Sequence, residues 1–130
     1  MIVVDASALI EVLLRTPAAQ AVERRLFDTL RTLHAPHLLD VEVAQVIRRY
    51  AASGEIDAER GRAALIDLAD LPLQRYPHDF LLPRVWDLRN NLTAYDAVYI
   101  ALAEALDSPL LTRDQRLAAA AGHHARIELT

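Results

Sequence analysis

The sequence predicts an α/β fold built on a parallel or mostly parallel sheet with helices on both faces. Short apolar segments typical of buried strands alternate along the chain with longer segments that carry apolar residues at helical spacing. Hydrophobic residues make up 53% of the chain, which is enough for a core and too many for a disordered protein. At 130 residues the chain suits one compact domain, and we expect a single domain over residues 1–130.

Five segments are predicted to be strands. The first is a run of apolar residues that ends in a carboxylate, and Pro109 comes directly before the fourth. Pro36 ends the second and Pro77 closes the third, because proline has no N–H to donate to a sheet ladder. In chain order the predicted strands are MIVVD, TLHAP, LQRYP, LLT and RIEL.

Four helices are predicted in the first half of the chain. Ser7 starts an amphipathic helix, SALIEVLL, and Pro17 opens a second one that runs through AAQAVERRLFDTL. Residues 38–52 form a long helix, since apolar residues recur there at helical spacing and a glycine follows. Asp57 caps a fourth helix, which reaches Leu71.

Three further helices are predicted in the second half. Residues 78–91 should be helical, with Pro83 limiting where that helix begins. Thr93 is an N-cap candidate for a strongly hydrophobic helix, AYDAVYIALAEAL. Asp114 begins a last helix, DQRLAAAA, which Gly122 ends.

The composition excludes several classes of protein. The chain has no cysteine, which excludes disulfides, thiolate zinc sites and cysteine nucleophiles and fits a cytoplasmic location. Asp5 and Glu11 interrupt the apolar start and no basic region precedes it, so we expect neither a signal peptide nor a membrane segment. The formal net charge is −4, and all 14 basic residues are arginine, a residue that grips phosphate bidentately. Genomic codon bias is the simpler explanation for the missing lysine.

Acidic residues stand at strand ends or helix starts in four places: Asp5, Glu42, Asp96 and Asp114. The functional crevice of a parallel sheet lies at the carboxyl ends of its strands, and we expect these acids to meet there. Two carboxylates about 4 Å apart repel by roughly 4 kcal/mol at an effective dielectric constant near 20. A fold therefore gathers several mainly to hold a divalent cation, and carboxylates without histidine or cysteine suit Mg²⁺ or Mn²⁺.

Each acid taken alone also has a structural explanation. Asp5 can cap the first helix, although Ser7 could cap it equally well. Glu42 can be a favourable charge near a helix start, although Asp40 could already fill that role as the cap. Asp96 can complete a capping box with its threonine cap, and the fourth acid can cap the last helix.

Other polar and aromatic residues invite two explanations each. Thr112 could orient a neighbouring carboxylate or be an ordinary strand-end threonine. Arg113 could contact substrate phosphate, although a solvated arginine is the more common case. Trp86 and Tyr95 could stack on bases, but core packing is the safer interpretation. Val22, Leu26 and Leu30 form an apolar stripe that could face a partner or pack on the sheet, and His123-His124 are expected to be a polar helix end.

Four segments carry a resemblance to a known family: VVDASALIEVLL, LLDVEVAQVIRR around Glu42, LTAYDAVYIALAEAL and LLTRDQRLA. They resemble motifs of PIN domains, and most of all those of the VapC-type toxins of bacterial and archaeal toxin–antitoxin pairs. The resemblance covers nearly the whole chain in the correct order, although residues 55–90 carry little of it. It implies a three-layer α/β/α sandwich with a central, mostly parallel sheet.

The resemblance also implies a metal-dependent endoribonuclease, in which one or two Mg²⁺ or Mn²⁺ ions activate the water that cleaves RNA phosphodiester bonds. Residues that match the family's three principal acids are Asp5, Glu42 and Asp96. Asp114 matches the fourth and more variable acid, and Ser7 and Thr112 match polar positions beside the metal site.

The implied partners are an RNA substrate and a cognate VapB-like antitoxin. In this family the antitoxin is a small protein whose C-terminal segment occupies the active-site cleft and whose N-terminal part binds operator DNA. A homodimer is implied as well, with pairs of dimers in the inhibited complex and no membrane involvement.

Three other functions stay open. The chain could be a PIN-like module that only binds proteins, without catalysis, or a nuclease that uses the same metal site on DNA. It could also be a phosphotransfer or phosphatase domain with Asp5 as its nucleophile. Such folds often need a lysine near the phosphate, and the chain has none.

Overall fold

The computed structural model describes residues 1–28 and 31–130. Within them five strands form one parallel sheet in the order β3-β2-β1-β4-β5. Every strand lies in a segment predicted to be one, and the sheet is parallel throughout. The strands are β1 (Ile2–Val4), β2 (Leu33–Pro36), β3 (Leu73–Tyr76), β4 (Leu110–Thr112) and β5 (Ile127–Leu129).

Strand β1 is the centre of the sheet and the point where the strand order reverses. It pairs with β2 through Ile2 and Leu33 and with β4 through Val4 and Leu111. The chain fills the sheet on one side of β1 with β2 and β3, and on the other side with β4 and β5. In open α/β sheets such a reversal leaves a crevice beyond the carboxyl ends of the strands, here between β1 and β4.

The helices form two groups that complete an α/β/α sandwich. Helix α1 contacts α2, α3 and α4, and α3 also contacts α4, while α5 and α6 pack together. A short 3₁₀ helix at Asp79–Leu81 precedes α5. The helices are α1 (Ala6–Leu13), α2 (Ala19–Leu26), α3 (Leu38–Ala52), α4 (Ala58–Asp70), α5 (Leu82–Asp87), α6 (Ala94–Ala105) and α7 (Gln115–Ala119).

Three predicted helices have different bounds in the structure. The second begins at Ala19, two residues after Pro17, and the predicted end at residue 30 lies outside the described residues, as does Leu30 of the apolar stripe. The helix predicted over residues 78–91 is divided into the 3₁₀ turn and the short α5, with Pro83 in the first turn of α5, where its missing N–H costs nothing. The last helix ends at Ala119, because Ala120 is extended.

Helix α6 packs against the middle of the sheet and has the most buried sequence of the helices described. Its residues 97–103 are all buried, with Ile100 and Leu102 fully so. Each such side chain stabilises the fold by about 1.5–3 kcal/mol relative to an exposed one. A helix apolar on every side must be covered on every side, which is why the hydrophobic block predicted from the sequence became the central helix. None of the helices in the described residues is both long and apolar enough to cross a bilayer.

Candidate functional site

The four acids predicted to meet all lie at the carboxyl edge of the sheet. Asp5 directly follows β1, and Asp114 stands two residues beyond β4. Glu42 belongs to the second turn of α3, the helix that follows β2, and Asp96 belongs to the first turn of α6. The acids therefore border the crevice at the point where the strand order reverses.

Asp5 is the most buried of these acids, with 6% of its surface exposed. Its Oδ1 accepts hydrogen bonds from the hydroxyl of Ser7 at 2.7 Å and from the backbone N–H of Ala8 at 3.1 Å, so Asp5 caps α1. Its Oδ2 accepts a bond from the hydroxyl of Thr112 at 2.5 Å. Ser7, the alternative cap, instead donates its hydroxyl hydrogen to the Asp5 carboxylate. Asp5 therefore caps α1 and also lies at the candidate site, so its two interpretations are compatible.

Ser7 and Thr112 tie the two sides of the crevice together. The Thr112 oxygen accepts the backbone N–H of Asp114 at 3.0 Å, and the Ser7 oxygen accepts the backbone N–H of Arg113 at 2.9 Å. The two hydroxyl oxygens are 3.3 Å apart. Both residues therefore lie beside Asp5, and they join the end of β1 to the turn after β4.

Glu42 is held by a residue that the sequence analysis did not select. The hydroxyl of Tyr99 donates to Glu42 Oε1 at 2.5 Å, and Tyr99 is 2% exposed. Burial first, and then the nearby Glu42, raises the pKa of Tyr99 well above its ordinary value, so the phenol stays a donor. The signal was available in the sequence, because Tyr99 follows Asp96 by three residues and so shares its face of α6.

Asp96 and Asp114 occupy helix starts, as their structural explanations required. The Thr93 hydroxyl accepts the backbone N–H of Asp96 at 3.2 Å, which confirms Thr93 as the cap of α6. Asp114 caps α7 through a hydrogen bond from the backbone N–H of Arg116 at 2.9 Å, and the Arg116 guanidinium lies 3.6 Å from the other carboxylate oxygen of Asp114.

Asp40, proposed as a cap near Glu42, instead forms a bidentate ion pair with Arg75 at 2.7 and 3.1 Å.

The four acids are close enough to act on one another. Burial raises the pKa of Asp5, Glu42 and Asp96, and neighbouring acids raise it further. Asp114 acts on Asp5 and on Asp96, and Asp5 and Asp96 act on Glu42. These relationships form a continuous ring of carboxylates, whose mutual repulsion a bound cation would relieve.

A hard divalent cation fits this ring by the chemistry of its donors. The side chains that surround the crevice offer carboxylate and hydroxyl oxygens, the ligands that Mg²⁺ and Mn²⁺ prefer. Among the described residues, no three acidic or histidine side chains converge closely enough to hold a metal in their present positions. The ring is therefore matched to a cation in donor type and charge, and its side chains would have to draw inward to bind one.

Four further residues are placed differently from expectation. Arg113 lies 3.7 Å from Glu11, so its guanidinium faces a carboxylate of α1. Trp86 and Tyr95 are 67% and 65% exposed, so the interpretation of both as core residues was wrong. His124 lies in the segment after α7, where its ring is 3.0 Å from Glu104.

Comparison with known proteins agrees with this architecture. The family model described as PIN domain matches residues 2–123. Ribonuclease VapC1 of Mycobacterium tuberculosis is 49% identical over 128 residues, which covers 98% of this chain and 96% of that protein. Ribonuclease VapC12 of the same organism is 44% identical over 129 residues, covering 99% of this chain and 98% of that protein.

A solved structure shares the fold at much lower identity. VapBC2 from Rickettsia felis, crystallised with a DNA fragment from its promoter, has a TM-score of 0.72 at 12% identity and covers 99% of this chain and 98% of its own. The family model and the two relatives span almost the whole chain, including every acid of the ring. The chain belongs to the PIN domain family and, within it, to the VapC proteins.

Proposed function

We propose that this protein is an endoribonuclease and the toxin of a toxin–antitoxin pair. The ring of Asp5, Glu42, Asp96 and Asp114 carries the proposal. Helix capping explains Asp5 and Asp114 one at a time, but it does not explain why all four carboxylates border one crevice, where a bound cation would relieve their repulsion. The names of VapC1 and VapC12, which are ribonucleases, support the choice of RNA.

The cofactor we propose is Mg²⁺ or Mn²⁺, held by the four acids of the ring. When bound, such an ion lowers the pKa of a coordinated water and offsets charge on the phosphate. The protein's own part is positional. Thr112 and Ser7 each donate a hydrogen bond to the Asp5 carboxylate, their two hydroxyl oxygens are in contact with each other, and Tyr99 donates to Glu42. The reaction is hydrolysis: water adds to phosphorus, the bond to the 3′-oxygen breaks, and the products carry a 5′-phosphate and a 3′-hydroxyl.

A VapB-like antitoxin is the proposed protein partner, acting on a homodimer of this chain in the cytoplasm. The solved VapBC2 structure, which is bound to a DNA fragment from its promoter, supports this assignment by analogy of fold. We further propose that residues 1–130 act as one domain, because a single hydrophobic cluster connects strands β1 to β4 with all seven α-helices of the described residues.

Cleavage of total RNA by purified, antitoxin-free protein tests the proposal. Wild-type protein, Asp96→Asn and Asp70→Asn are compared in Mg²⁺, in Mn²⁺ and in EDTA. Asp70 is an exposed acid at the end of α4, on the opposite edge of the sheet, so it controls for the loss of one charge. We expect discrete fragments from wild type and Asp70→Asn in either metal, and none in EDTA or from Asp96→Asn.

Three results would overturn this assignment. Fragments that end in 2′,3′-cyclic phosphate would mean that the RNA's own 2′-hydroxyl attacks rather than water. Cleavage of single- or double-stranded DNA in place of RNA would favour the DNA nuclease, and cleavage of neither by folded protein would favour a module that only binds proteins.

A further inference from the structure

An open cavity continues from the ring of acids along α3. It has a volume of about 340 Å³, and its lining includes Ala6, Glu42, Gln45, Val46, Arg49 and Tyr95. We call it the Tyr95 pocket. Glu42 belongs to the ring itself, Ala6 follows Asp5, and Tyr95 precedes Asp96, so the pocket opens directly beside the carboxylates.

Tyr95 supplies a free aromatic face to this pocket. Its side chain stands in the first turn of α6 and is 65% exposed, whereas Tyr99, one turn later, is 2% exposed. An exposed aromatic ring offers apolar area that water covers at a free-energy cost. A nucleobase could relieve that cost by stacking, and every base has a face on which to do so.

Gln45 and Arg49 continue the face of α3 that Glu42 begins. They follow Glu42 by three and seven residues, so they lie above it on the same side of the helix. Seven residues of helix place Arg49 about 10 Å along the axis from Glu42. The side chains along this line are an acceptor, an amide that both donates and accepts, and a cation.

Arg49 is available for an anion. Seven arginines of the described residues form ion pairs with carboxylates, namely Arg25, Arg31, Arg75, Arg84, Arg113, Arg116 and Arg126. Arg49 is not among the ion pairs found within residues 1–28 and 31–130, although it borders a pocket that contains Glu42. A guanidinium left without a carboxylate at the far end of an acidic crevice is suited to the phosphate of a chain that passes through it.

We propose that the Tyr95 pocket binds a nucleotide of single-stranded RNA adjacent to the scissile phosphate. The base stacks on Tyr95, Gln45 hydrogen-bonds to the edge of that base, and Arg49 pairs with the next backbone phosphate. This proposal rests on the proposed ribonuclease function and adds to it the residues that select the cleavage position. A stacked base with one hydrogen-bonding amide gives a preference for certain bases rather than a strict sequence.

Binding is measured by fluorescence anisotropy on a labelled single-stranded RNA that spans the mapped cleavage position, with Asp96→Asn as the inactive background. We expect Tyr95→Ala to weaken binding about five- to one-hundred-fold, and Tyr95→Phe to retain it, because phenylalanine keeps the stacking face. Arg49→Ala should lower the slope of log affinity against log salt by about 0.7, the value for one lost phosphate contact on a single strand. Arg48→Ala, the neighbouring exposed arginine on another face of α3, is the matched control and should leave the slope unchanged.

Cleavage kinetics, measured on variants that retain Asp96 and are therefore active, separate substrate positioning from chemistry. We expect Tyr95→Ala to raise KM with little change in kcat, and Gln45→Ala to relax the base preference at the position beside the cut. Tyr95→Phe should behave as wild type in both respects.

Three results would overturn the proposal. If wild-type protein cleaves RNA and Tyr95→Ala does so with unchanged KM, affinity and base preference, the pocket assignment fails while the ribonuclease stands. If Tyr95→Ala dissociates a dimer in sedimentation without changing RNA affinity, the pocket seats a second copy of the chain instead. If wild-type protein cleaves no RNA, the ribonuclease proposal fails and the pocket proposal falls with it.

Discussion

Thr112 joins two acids from neighbouring strands through one hydroxyl group. It donates to Asp5 Oδ2 at 2.5 Å, and its oxygen accepts the backbone N–H of Asp114 at 3.0 Å. Thr112 is 0% exposed, so neither contact competes with water. The pairing follows from the register of β1 and β4, since Val4 lies opposite Leu111 and the next residues in each strand are Asp5 and Thr112.

Replacing Thr112 with valine should therefore reduce both stability and cleavage. The change keeps the branched shape but removes the donor to Asp5 and the acceptor for Asp114. We expect the free energy of unfolding to fall by about 1–3 kcal/mol, the usual cost of leaving a buried polar group without its partner. Urea denaturation and RNA cleavage measure the two effects.

Thr112→Ser is the control for this change, because serine keeps the hydroxyl and loses only a methyl group. It should retain more activity than the valine variant. A Thr112→Val protein as stable and as active as wild type would show that the hydroxyl bridge has no role.

Removing the hydroxyl of Tyr99 should weaken the site without unfolding the protein. Tyr99→Phe preserves the packing of α6 and removes the donor to Glu42. Partners that orient metal ligands typically contribute ten- to one-hundred-fold to metal affinity or activity, so we expect a loss of about that size. Mn²⁺ affinity and cleavage rate measure it, with Tyr50→Phe on α3 as the matched loss of a hydroxyl. Equal losses in the two variants would argue against a specific role for Tyr99.

His34 should make the fold less stable at acidic pH. It lies buried in β2, where its two ring nitrogens are each 2.7 Å from a hydroxyl oxygen, of Thr32 and of Tyr76. Burial, and then the positive chain terminus, lowers the pKa of His34 below 6.5. The unfolded chain then binds more protons than the folded one as the pH drops below that value, so stability is lost as the pH falls.

The pKa values of Asp5, Glu42 and Asp96 are raised, so the folded protein binds more protons than the unfolded chain as they titrate. Their contribution to stability therefore falls as the pH rises, which is opposite to that of His34. Comparing wild type with His34→Gln cancels that contribution. We expect the stability difference between the two proteins to change below pH 6.5 and to be constant above it. A difference that does not vary with pH would exclude His34 as the titrating group.

Among the ion pairs of the described residues, we expect the pair that involves Glu104 to cause the largest loss of stability when it is broken. Its side chain is 6% exposed and accepts two bonds from Arg84, at 2.8 and 3.0 Å, joining α5 to α6. Arg84→Met leaves a buried carboxylate with fewer donors, and we expect a loss of about 1–3 kcal/mol in thermal or urea unfolding. Arg126→Met breaks an exposed pair with Asp107 and should cost less than about 1 kcal/mol. Similar losses would mean that burial of Glu104 is not what matters.

The strands and the position of the acids could be predicted from the sequence because both depend on local patterns. Strand β1 is a short apolar run, and parallel strands bring their carboxyl ends to one edge whatever their order. The bounds of α3 matched the predicted 38–52, since its stripe and its terminal glycine are local signals. The PIN resemblance then suggested the roles that we propose for the acids, which no single position could.

Contacts between distant elements could not be predicted in this way. The partner of Asp40 is Arg75, 35 positions later, so its role as a cap was a reasonable but wrong inference. The exposure of Trp86 and Tyr95 depends on how α5 and α6 are rotated against their neighbours, and sequence spacing does not fix that rotation. The spacing of Tyr99 from Asp96 is a local signal, but the hydrogen bond from Tyr99 to Glu42 forms only when α3 and α6 pack together.

Binding of Mn²⁺ by isothermal titration calorimetry tests the central claim, that the four acids form one cation site. We predict that wild-type protein and Asp70→Asn bind Mn²⁺ with the same affinity, and that Asp96→Asn binds it far more weakly or not at all. Equal binding by wild type and Asp96→Asn, or no binding by folded, antitoxin-free wild type, would contradict the claim.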